Sequence, residues 1–506
     1  MLIQGAEIAG AFPTDLRIAG GRIAAIGSGL SAAAGEPTLA AAGGALLPGL
    51  HDHHVHLFAL AALQSSVRCG PPEVNDAAAL ASALAGARAS GDWIRGVGYF
   101  ESVAGDLDRR RLDALVPDRP VRIQHRSGAL WILNSAGGDR LGLDRGADAP
   151  GVERDAEGRA TGRLFRLDAW LRERLGEGSR PSLSGVGRRL ARYGVTGVTD
   201  ATPGNAAAEL SAFVEAVAGG DLRQRVVVMG QPSLPPASCL GVDAGVGVER
   251  GAVKVWLAES ELLPFGELRR TIESAHRDGR PVAVHCVTRT ELVFAVAAFA
   301  AAGSVVGDRI EHAAVAPPEV VELLADTSLT VVTQPNFIRE RGDAYAERVE
   351  PADRPWLYRG RGFLAAGVPL GGGTDAPFGD PDPWRAMRAA VDRRSAGGLV
   401  LGPGELLSPE QALALFTSPA HAPGAPPRRI EVGAPADLCL LDRPWRQAHL
   451  ELTSAHVAAT LCGGRVTWWR GDLRGVARQR RREGPHVVVR RQAVEDGAAR
   501  CDPIRQ

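Results

Sequence analysis

Lys254 is the only lysine of the chain, and every other one of its 58 lysine and arginine residues is an arginine. Arginine can replace lysine where only a positive charge is needed, but it does not lose its proton to become a nucleophilic amine. The segment AVKVWLA (252–258) alternates in hydrophobicity, which predicts a strand with Val253 and Val255 on the face opposite the lysine. Burial lowers the pKa of a lysine, and a neutral amine can form a Schiff base, act as a base, or add carbon dioxide to give a carbamate. We therefore expect amine chemistry at this position; the alternative is an ordinary surface lysine.

Histidine and aspartate side chains recur near the ends of other predicted strands. The positions are His54 and His56 on one strand, then His285, His312 and Asp375 on three later ones. Each alone is better explained as a hydrogen-bonded core residue. Taken together with the lysine they predict a site for one or two divalent metal ions per chain. Nitrogen and oxygen ligands favour zinc, and leave manganese, iron and nickel open.

The segment HDHHVH (51–56) contains two His-x-His pairs, of which only one can face the site. Asp52 shares the face of His54 and His56, and this face lies nearer the carboxyl end of the strand. We assign the second pair to the site. His51 and His53 are then expected to point outward toward helices or to support the ligands.

Eight predicted strands separated by amphipathic segments favour an α/β fold, a (β/α)8 TIM-like barrel. They are GLHDHHVHL (49–57), VTGVTDA (195–201), RVVVMG (225–230), AVKVWLA (252–258), PVAVHCV (281–287), DRIEHAA (308–314), LTVVTQP (329–335) and VPLGGGTDA (368–376). The gap after the first strand is too long for a crossover, so it predicts an insertion over about residues 68–190, with a helix around 163–176.

Strand and hairpin patterns at both ends of the chain predict a second, smaller domain. We expect residues 1–47 and 423–473 to form a β-sandwich and residues 48–422 to form the barrel. The polar, locally basic tail 474–506 is expected to be disordered.

Composition indicates an ordinary soluble protein with a small-molecule substrate. The formal net charge is +0, so no global field recruits nucleic acid or a membrane surface. The six cysteines lack metal-site spacing, and we find neither a secretion signal nor a membrane-spanning run, which predicts a cytoplasmic protein. A homodimer is one expected assembly.

Several motifs resemble the amidohydrolase superfamily in type and order. They are PGLHDHHVHL, a lysine on the fourth strand, HCV, RIEHAAVAPPE and GGGTDAP, and the resemblance covers about residues 1–470. The long insertion, RIEH followed by VVTQPN, and TDAPFGDPDPW are most similar to amidohydrolase family 3, which includes N-substituted formamide deformylases.

The resemblance implies a role for each candidate. His54 and His56 would bind one metal with Asp375, His285 and His312 would bind a second, and carbamylated Lys254 would bridge both. It implies attack of metal-bound hydroxide on a non-peptide C–N bond of an amide, formamide or N-acyl substrate. Asp375 would take the proton and return it to the leaving amine.

The pocket departs from the family pattern. Ala258 and Glu259 replace a frequent Asp-Gly, and Thr288 and Arg289 replace a frequent Gly-Asp. Candidates for binding a substrate carboxylate are Arg126 and Arg289, and candidates for an apolar wall are Trp131, Trp256, Phe337 and Trp384. Surface ion pairs and core packing explain these residues equally well.

Three alternatives stay open. A lactonase or esterase would use the same geometry. A deaminase of this superfamily usually uses one metal and needs no bridging lysine, so Lys254 argues against it. A non-catalytic binding relative would typically have lost ligands, and none is missing in this sequence.

Overall fold

The computed structural model describes residues 1–71, 73–87, 92–145, 149–175, 180–240 and 247–471. Within these residues the chain forms two compact units: one contains residues 1–56 and the chain from 183 onward, the other residues 57–182. The tail predicted to be disordered, 474–506, lies outside the described residues.

The N-terminal segment forms short strands, because apolar and polar residues alternate between glycine turns. They are β1 (Leu2–Ile8), β2 (Ala11–Ala19), β3 (Arg22–Gly27), β4 (Thr38–Ala40) and β5 (Leu46–Pro48). The first four pair in the order β3-β2-β1-β4, and β5 joins another sheet.

The barrel begins with β6 (Leu50–Val55), and the second unit follows directly. Its elements are α1 (Leu57–Gln64), β7 (Val67–Arg68), α2 (Ala77–Ala85), β8 (Ile94–Tyr99), α3 (Glu101–Ala104), α4 (Arg109–Leu115), β9 (Val121–His125), β10 (Leu130–Leu133), α5 (Ser135–Leu141), β11 (Val152–Arg154), β12 (Ala160–Phe165) and α6 (Asp168–Leu175). The strands form one sheet in the order β11-β12-β10-β9-β8-β7.

The helix predicted over residues 163–176 is wrong in its first part. Arg163 to Phe165 belong to β12, since they pair with β10. The helix starts only at Asp168, after Arg166 adopts a φ of 55° that interrupts the regular backbone. Long-range pairing therefore overrides the local helical pattern.

The barrel continues from residue 184 with alternating helices and strands. They are α7 (Ser184–Arg192), β13 (Val195–Asp200), α8 (Ala207–Ala218), β14 (Arg225–Gly230), β15 (Val248–Trp256), α9 (Phe265–Arg277), β16 (Val282–Cys286), α10 (Arg289–Ala302), β17 (Arg309–His312), α11 (Pro318–Ala325), β18 (Thr330–Thr333), α12 (Asn336–Arg348), α13 (Arg361–Ala365), β19 (Leu370–Gly372), α14 (Pro383–Asp392) and α15 (Pro409–Thr417). Together with β6 the strands form a parallel sheet in the order β19-β18-β17-β16-β15-β14-β13-β6.

The eighth strand returns to the first. Asp375 N donates to His54 O at 2.8 Å, and His56 N donates to Ala376 O at 2.8 Å. A parallel bridge joins Val55 and Ala376. These bonds connect the two edges of the sheet, and the predicted (β/α)8 barrel with its insertion is confirmed.

The chain ends with β20 (Leu438–Leu441), α16 (Trp445–Ala448), β21 (Val457–Cys462) and β22 (Arg465–Trp469). These strands pair in the order β22-β21-β20-β5, so the N-terminal β5 completes the C-terminal sheet. Gly463 and Gly464 form the hairpin turn with φ of 53° and 75°, values that favour glycine. The two terminal sheets share one apolar core, which includes Ile3, Leu16 and Leu438. The predicted β-sandwich built from both chain ends is confirmed as an architecture.

Candidate metal centre

The sequence-predicted ligands lie at the carboxyl ends of barrel strands, where parallel strands bring their ends together. His54 is in β6 and His56 follows it, His285 is in β16, His312 ends β17, and Asp375 follows β19. Lys254 is in β15, and its neighbour Trp256 is in register with His285. The fold thus gathers residues that are more than 300 positions apart.

Three of these residues converge on one point. Nε2 of His54 lies 3.4 Å from Asp375 Oδ1, and Nε2 of His56 lies 3.2 Å from the same oxygen. Each of the three residues offers one ligand atom, and these three atoms all lie within 4.8 Å of one another. This is the spacing expected of side chains that can share one cation.

Each histidine uses its other ring nitrogen for a contact within the protein. His54 Nδ1 bonds to Glu311 Oε2, and His56 Nδ1 lies 2.9 Å from Thr202 Oγ1. Contacts of this kind orient an imidazole and leave Nε2 available to a metal.

His285 and His312 form an adjacent pair. Their ring centroids are 4.4 Å apart, and the centroid of His312 is 4.8 Å from that of His54. His312 Nδ1 lies 2.7 Å from Gln334 Oε1, which leaves its Nε2 available. The rings of His54, His56, His285 and His312 therefore form one cluster in space.

Lys254 is a buried amine, with only 7% of the residue exposed. Its Nζ has no hydrogen-bond partner among the described residues, and its nearest ion-pairing atom is Glu311 Oε1 at 4.0 Å. Burial lowers the pKa of Lys254 to about 8, opposed by Glu311 and assisted by the positive charge of Arg309. The amine is therefore more easily deprotonated than that of a surface lysine.

Burial also favours neutral imidazoles. It lowers the pKa of His312 to about 3 with the help of the neighbouring His54, and it lowers the pKa of His285 well below its usual range with the help of His312. The pKa of His54 is lowered by burial and by Lys254. A histidine must be neutral to bind a metal, so these shifts suit the role.

Asp375 is held as a carboxylate. Burial alone would raise its pKa, but the neighbouring imidazoles of His56, His54 and His312 lower it below the usual range. An ionised carboxylate beside two imidazole Nε2 atoms completes a donor set of the kind that divalent metals prefer.

Two of these residues have unusual backbone conformations. His312 has a φ of 71° and Asp375 a φ of 54°, in the left-handed region that costs a non-glycine residue about 1–3 kcal/mol. The backbone N–H of Asp375 donates a hydrogen bond to His54 O in β6. The backbone carbonyl of Asp375 accepts hydrogen bonds from the N–H groups of Phe378 and Gly379. The surrounding bonds thus stabilise a strained ligand position.

The sequence interpretation gave no role to two carboxylates that organise the site, Glu311 and Asp52. Glu311 is fully buried, and besides His54 it binds Arg309 Nε through Oε1. Asp52 accepts from Thr374 N at 3.0 Å and from His54 N at 3.2 Å, so it ties the first strand to the eighth. A signal for Glu311 existed, since the short strand RIEH between apolar segments carries an arginine and a carboxylate two positions apart on the same face.

His51 and His53 lie away from the cluster. His51 Nε2 is 2.9 Å from Thr199 Oγ1 on the neighbouring strand, and His53 Nε2 is 2.9 Å from Ser418 Oγ, just beyond α15. The second pair of histidines, not the first, therefore lies beside Asp375.

Of the predicted pocket residues in the barrel, Trp256 fits the role best. It is 44% exposed, and its ring centroid is 6.2 Å from that of His285. Phe337 is buried in an apolar cluster with Ile338 and Tyr358. Trp384 is also buried and donates to Tyr193 O at 2.9 Å.

The predicted carboxylate-binding arginines have protein partners. Arg289 forms an ion pair with Asp353 at the surface. In the insertion, the guanidinium of Arg126 stacks 3.5 Å from the ring centroid of Phe100, and Trp131 packs in that unit's own core. Substrate binding by these residues stays a prediction.

The residues fit a divalent metal. Nε2 of His54 and Nε2 of His56 face Asp375 Oδ1, and the buried Nζ of Lys254 beside them lacks a hydrogen-bond partner among the described residues. Buried polar atoms are otherwise nearly always paired, so this arrangement indicates that a ligand completes the site.

In the part of the chain that the structure describes, we find no helix long and apolar enough to cross a membrane.

A family model described as "Amidohydrolase family" matches residues 38–468. The chain is 26% identical over 514 aligned positions to an N-substituted formamide deformylase of Arthrobacter pascens, with 88% of this chain and 93% of the relative covered. Crystal structures of uncharacterized metal-dependent hydrolases from Pyrococcus furiosus and Pyrococcus horikoshii OT3 share the fold. Their TM-scores are 0.68 and 0.67 at 23% and 21% identity, and the alignments cover 87% and 90% of this chain and 98% of each solved chain. The chain belongs to the amidohydrolase family, which confirms the predicted resemblance and enzyme class.

Proposed function

We propose that this protein is a metal-dependent hydrolase that cleaves a non-peptide C–N bond of a small amide, formamide or N-acyl compound. The observation that carries the proposal is the convergence of His54, His56 and Asp375 at the carboxyl end of the barrel. Similarity to an N-substituted formamide deformylase supports formamides as the first compounds to test. We further propose a cytoplasmic location, with no nucleic-acid or membrane partner, and a homodimer as one assembly.

His54, His56 and Asp375 would hold one divalent metal, with zinc the first candidate from their nitrogen and oxygen ligands. His285 and His312 would hold a second together with Lys254. When bound, the metal supplies a Lewis acid that polarises a carbonyl and lowers the pKa of water. The number of metals then depends on Lys254, because without it the second position has only two protein ligands.

Lys254 can become a ligand through a change in its own chemistry. Its uncharged nitrogen bonds to the carbon of carbon dioxide, a proton leaves to solvent, and the side chain becomes an anionic carbamate. The burial that lowers its pKa to about 8 makes the uncharged form accessible near neutral pH. Arginine cannot undergo this addition, which accounts for the single lysine in a chain that otherwise uses arginine.

Asp375 would move the proton. Its carboxylate accepts a proton as a water oxygen bonds to the substrate carbonyl carbon, and it donates that proton to the nitrogen as the C–N bond breaks. The products are a carboxylate and an amine. The lowered pKa of Asp375 keeps the carboxylate ionised at neutral pH, so the acceptor form is present before the reaction.

Two measurements test the proposal. Elemental analysis of protein purified without chelator should find one or two equivalents of a divalent metal, and mass spectrometry should detect the carbamate on Lys254. A screen of N-substituted formamides, N-acyl compounds and lactones should then find amide cleavage that a chelator abolishes. Protein that takes up no metal after reconstitution, or that cleaves only lactones, would overturn the proposal.

A further inference from the structure

We propose that Glu311 is a positioning residue that fixes the tautomer of His54, and that Arg309 holds Glu311 in place. The inference deepens the proposed function and rests on its metal centre. It concerns the orientation of a ligand, and not the reaction itself.

The contact between Glu311 and His54 determines which ring nitrogen carries hydrogen. Glu311 uses its two oxygens for different partners: Oε1 forms an ion pair with Arg309 Nε, and Oε2 contacts His54 Nδ1. A carboxylate paired directly with an arginine stays ionised and can only accept hydrogen bonds. Because Oε2 contacts His54 Nδ1, this nitrogen must be the donor, and the lone pair is left on Nε2 facing Asp375.

The other histidine contacts do not fix a tautomer in this way. His56 meets the hydroxyl of Thr202, which can either donate or accept. His312 meets the uncharged oxygen of Gln334, whose amide is oriented by a hydrogen bond from its Nε2 to Val332 O at 3.3 Å. Among these three contacts, the one to Glu311 is therefore the one that determines the ligand nitrogen by charge.

Arg309 completes a brace across the barrel interior. Its Nε bonds to Glu311, and its Nη2 donates to His53 O at 2.8 Å. The strands joined in this way, β17 and β6, are not neighbours in the sheet. The brace therefore links the carboxylate to the backbone beside the same histidine that the carboxylate orients.

The direct test is the tautomer of His54 in metal-free protein. Nitrogen NMR of protein labelled at histidine distinguishes a protonated ring nitrogen from an unprotonated one, and His54→Gln identifies the resonances. In the wild type, Nδ1 of His54 should be protonated and Nε2 unprotonated. In Glu311→Ala the two signals should move toward those of a free imidazole, and Glu311→Gln should not restore the wild-type pattern, because its single oxygen cannot accept from both Arg309 Nε and His54 Nδ1.

Metal affinity gives a second readout that does not depend on turnover. In competition with a chromogenic chelator, Glu311→Ala should bind zinc about 10–100-fold more weakly than the wild type. The matched control is Glu405→Ala, since Glu405 is also buried and accepts from an arginine, with Arg359 Nε 2.8 Å from Oε1. Glu405→Ala should lose stability and keep its zinc affinity.

A second pair of variants covers the case in which Glu311→Ala does not fold. Arg309→Met leaves the carboxylate but removes its brace, and it should weaken zinc binding more than Arg359→Met does at the control pair. The inference is overturned if folded Glu311→Ala keeps the His54 tautomer and binds zinc as tightly as Glu405→Ala. It is equally overturned if Arg309→Met binds zinc like Arg359→Met. Wild-type protein that binds no zinc would refute the proposed function instead, and the tautomer measurement would still decide the role of Glu311.

Discussion

Replacing Lys254 by arginine should preserve the fold and reduce both metal content and activity. The side chain is buried, and Nζ lies 4.0 Å from Glu311 Oε1, so a guanidinium can pair with that carboxylate. The extra volume costs about 1–3 kcal/mol, which a domain of this size tolerates. Since a guanidinium does not add carbon dioxide, the second metal position is left with His285 and His312 alone.

The expected loss follows from what the second metal contributes. A metal that stabilises developing charge in a transition state is worth several kcal/mol. Taking about 4 kcal/mol, and about 1.4 kcal/mol for each tenfold change in rate, kcat/KM should fall about 10³-fold. Where the wild type holds two equivalents of metal, Lys254→Arg should hold one by elemental analysis.

The assay needs a control that separates the amine from its charge. Lys254→Met has a similar length but neither charge nor nucleophile, and it should lose the same metal and the same activity as Lys254→Arg. If Lys254→Arg binds two metals and turns over at the wild-type rate, the carbamate role is refuted. If it is active while Lys254→Met is not, Lys254 acts as a cation beside Glu311.

Three further outcomes are expected. Asp375→Asn cannot accept a proton and should lower kcat about 10²–10⁴-fold while at least one metal stays bound; a wild-type rate would remove Asp375 from proton transfer. In metal-free protein depleted of carbon dioxide, the pKa of Lys254 is about 8 in the folded state, against an ordinary value of 10.5 for an exposed lysine. Between pH 8 and pH 10.5 the unfolded chain therefore binds more protons than the folded chain. The free energy of unfolding should therefore rise by about 3 kcal/mol from pH 8 to pH 10.5 relative to Lys254→Met in urea titrations, and a flat difference would contradict burial of the amine. Zinc added at 100 times its dissociation constant should stabilise the metal-free protein by about 2.7 kcal/mol, and an unchanged unfolding midpoint would argue against the metal centre.

The barrel could be predicted from sequence because each of its strands is recognised by a pattern within a few consecutive residues. Each strand is a short apolar run ended by a polar or glycine-rich turn, and the strands β6 and β13 to β19 all lie within predicted segments or overlap them. The burial of Lys254 followed from its alternating neighbours, and the choice between the two histidine pairs followed from the two-residue period of a strand.

The contacts of Glu311 could not be predicted, because they join residues far apart in sequence. Glu311 and His54 are separated by 257 positions, and their strands are not adjacent in the sheet. The environment of Phe337 likewise depends on contacts that the local sequence does not show. An aromatic residue after a barrel strand is compatible with a pocket wall, and only the packing of Tyr358 and Ile338 against it reveals a core position.

Charge balance connects the modification of Lys254 to the number of metals. The interior already holds the cations Arg309 and Lys254 close to the carboxylate of Glu311. A second dication placed near a protonated Lys254 would meet a like charge in a buried, weakly screened site. Conversion of the ammonium to a carbamate changes the side chain from +1 to −1, and this difference of two charges matches the charge of the incoming metal. Carbon dioxide and the second metal should therefore bind cooperatively, so metal uptake beyond one equivalent should increase with bicarbonate concentration in the wild type and be independent of it in Lys254→Met.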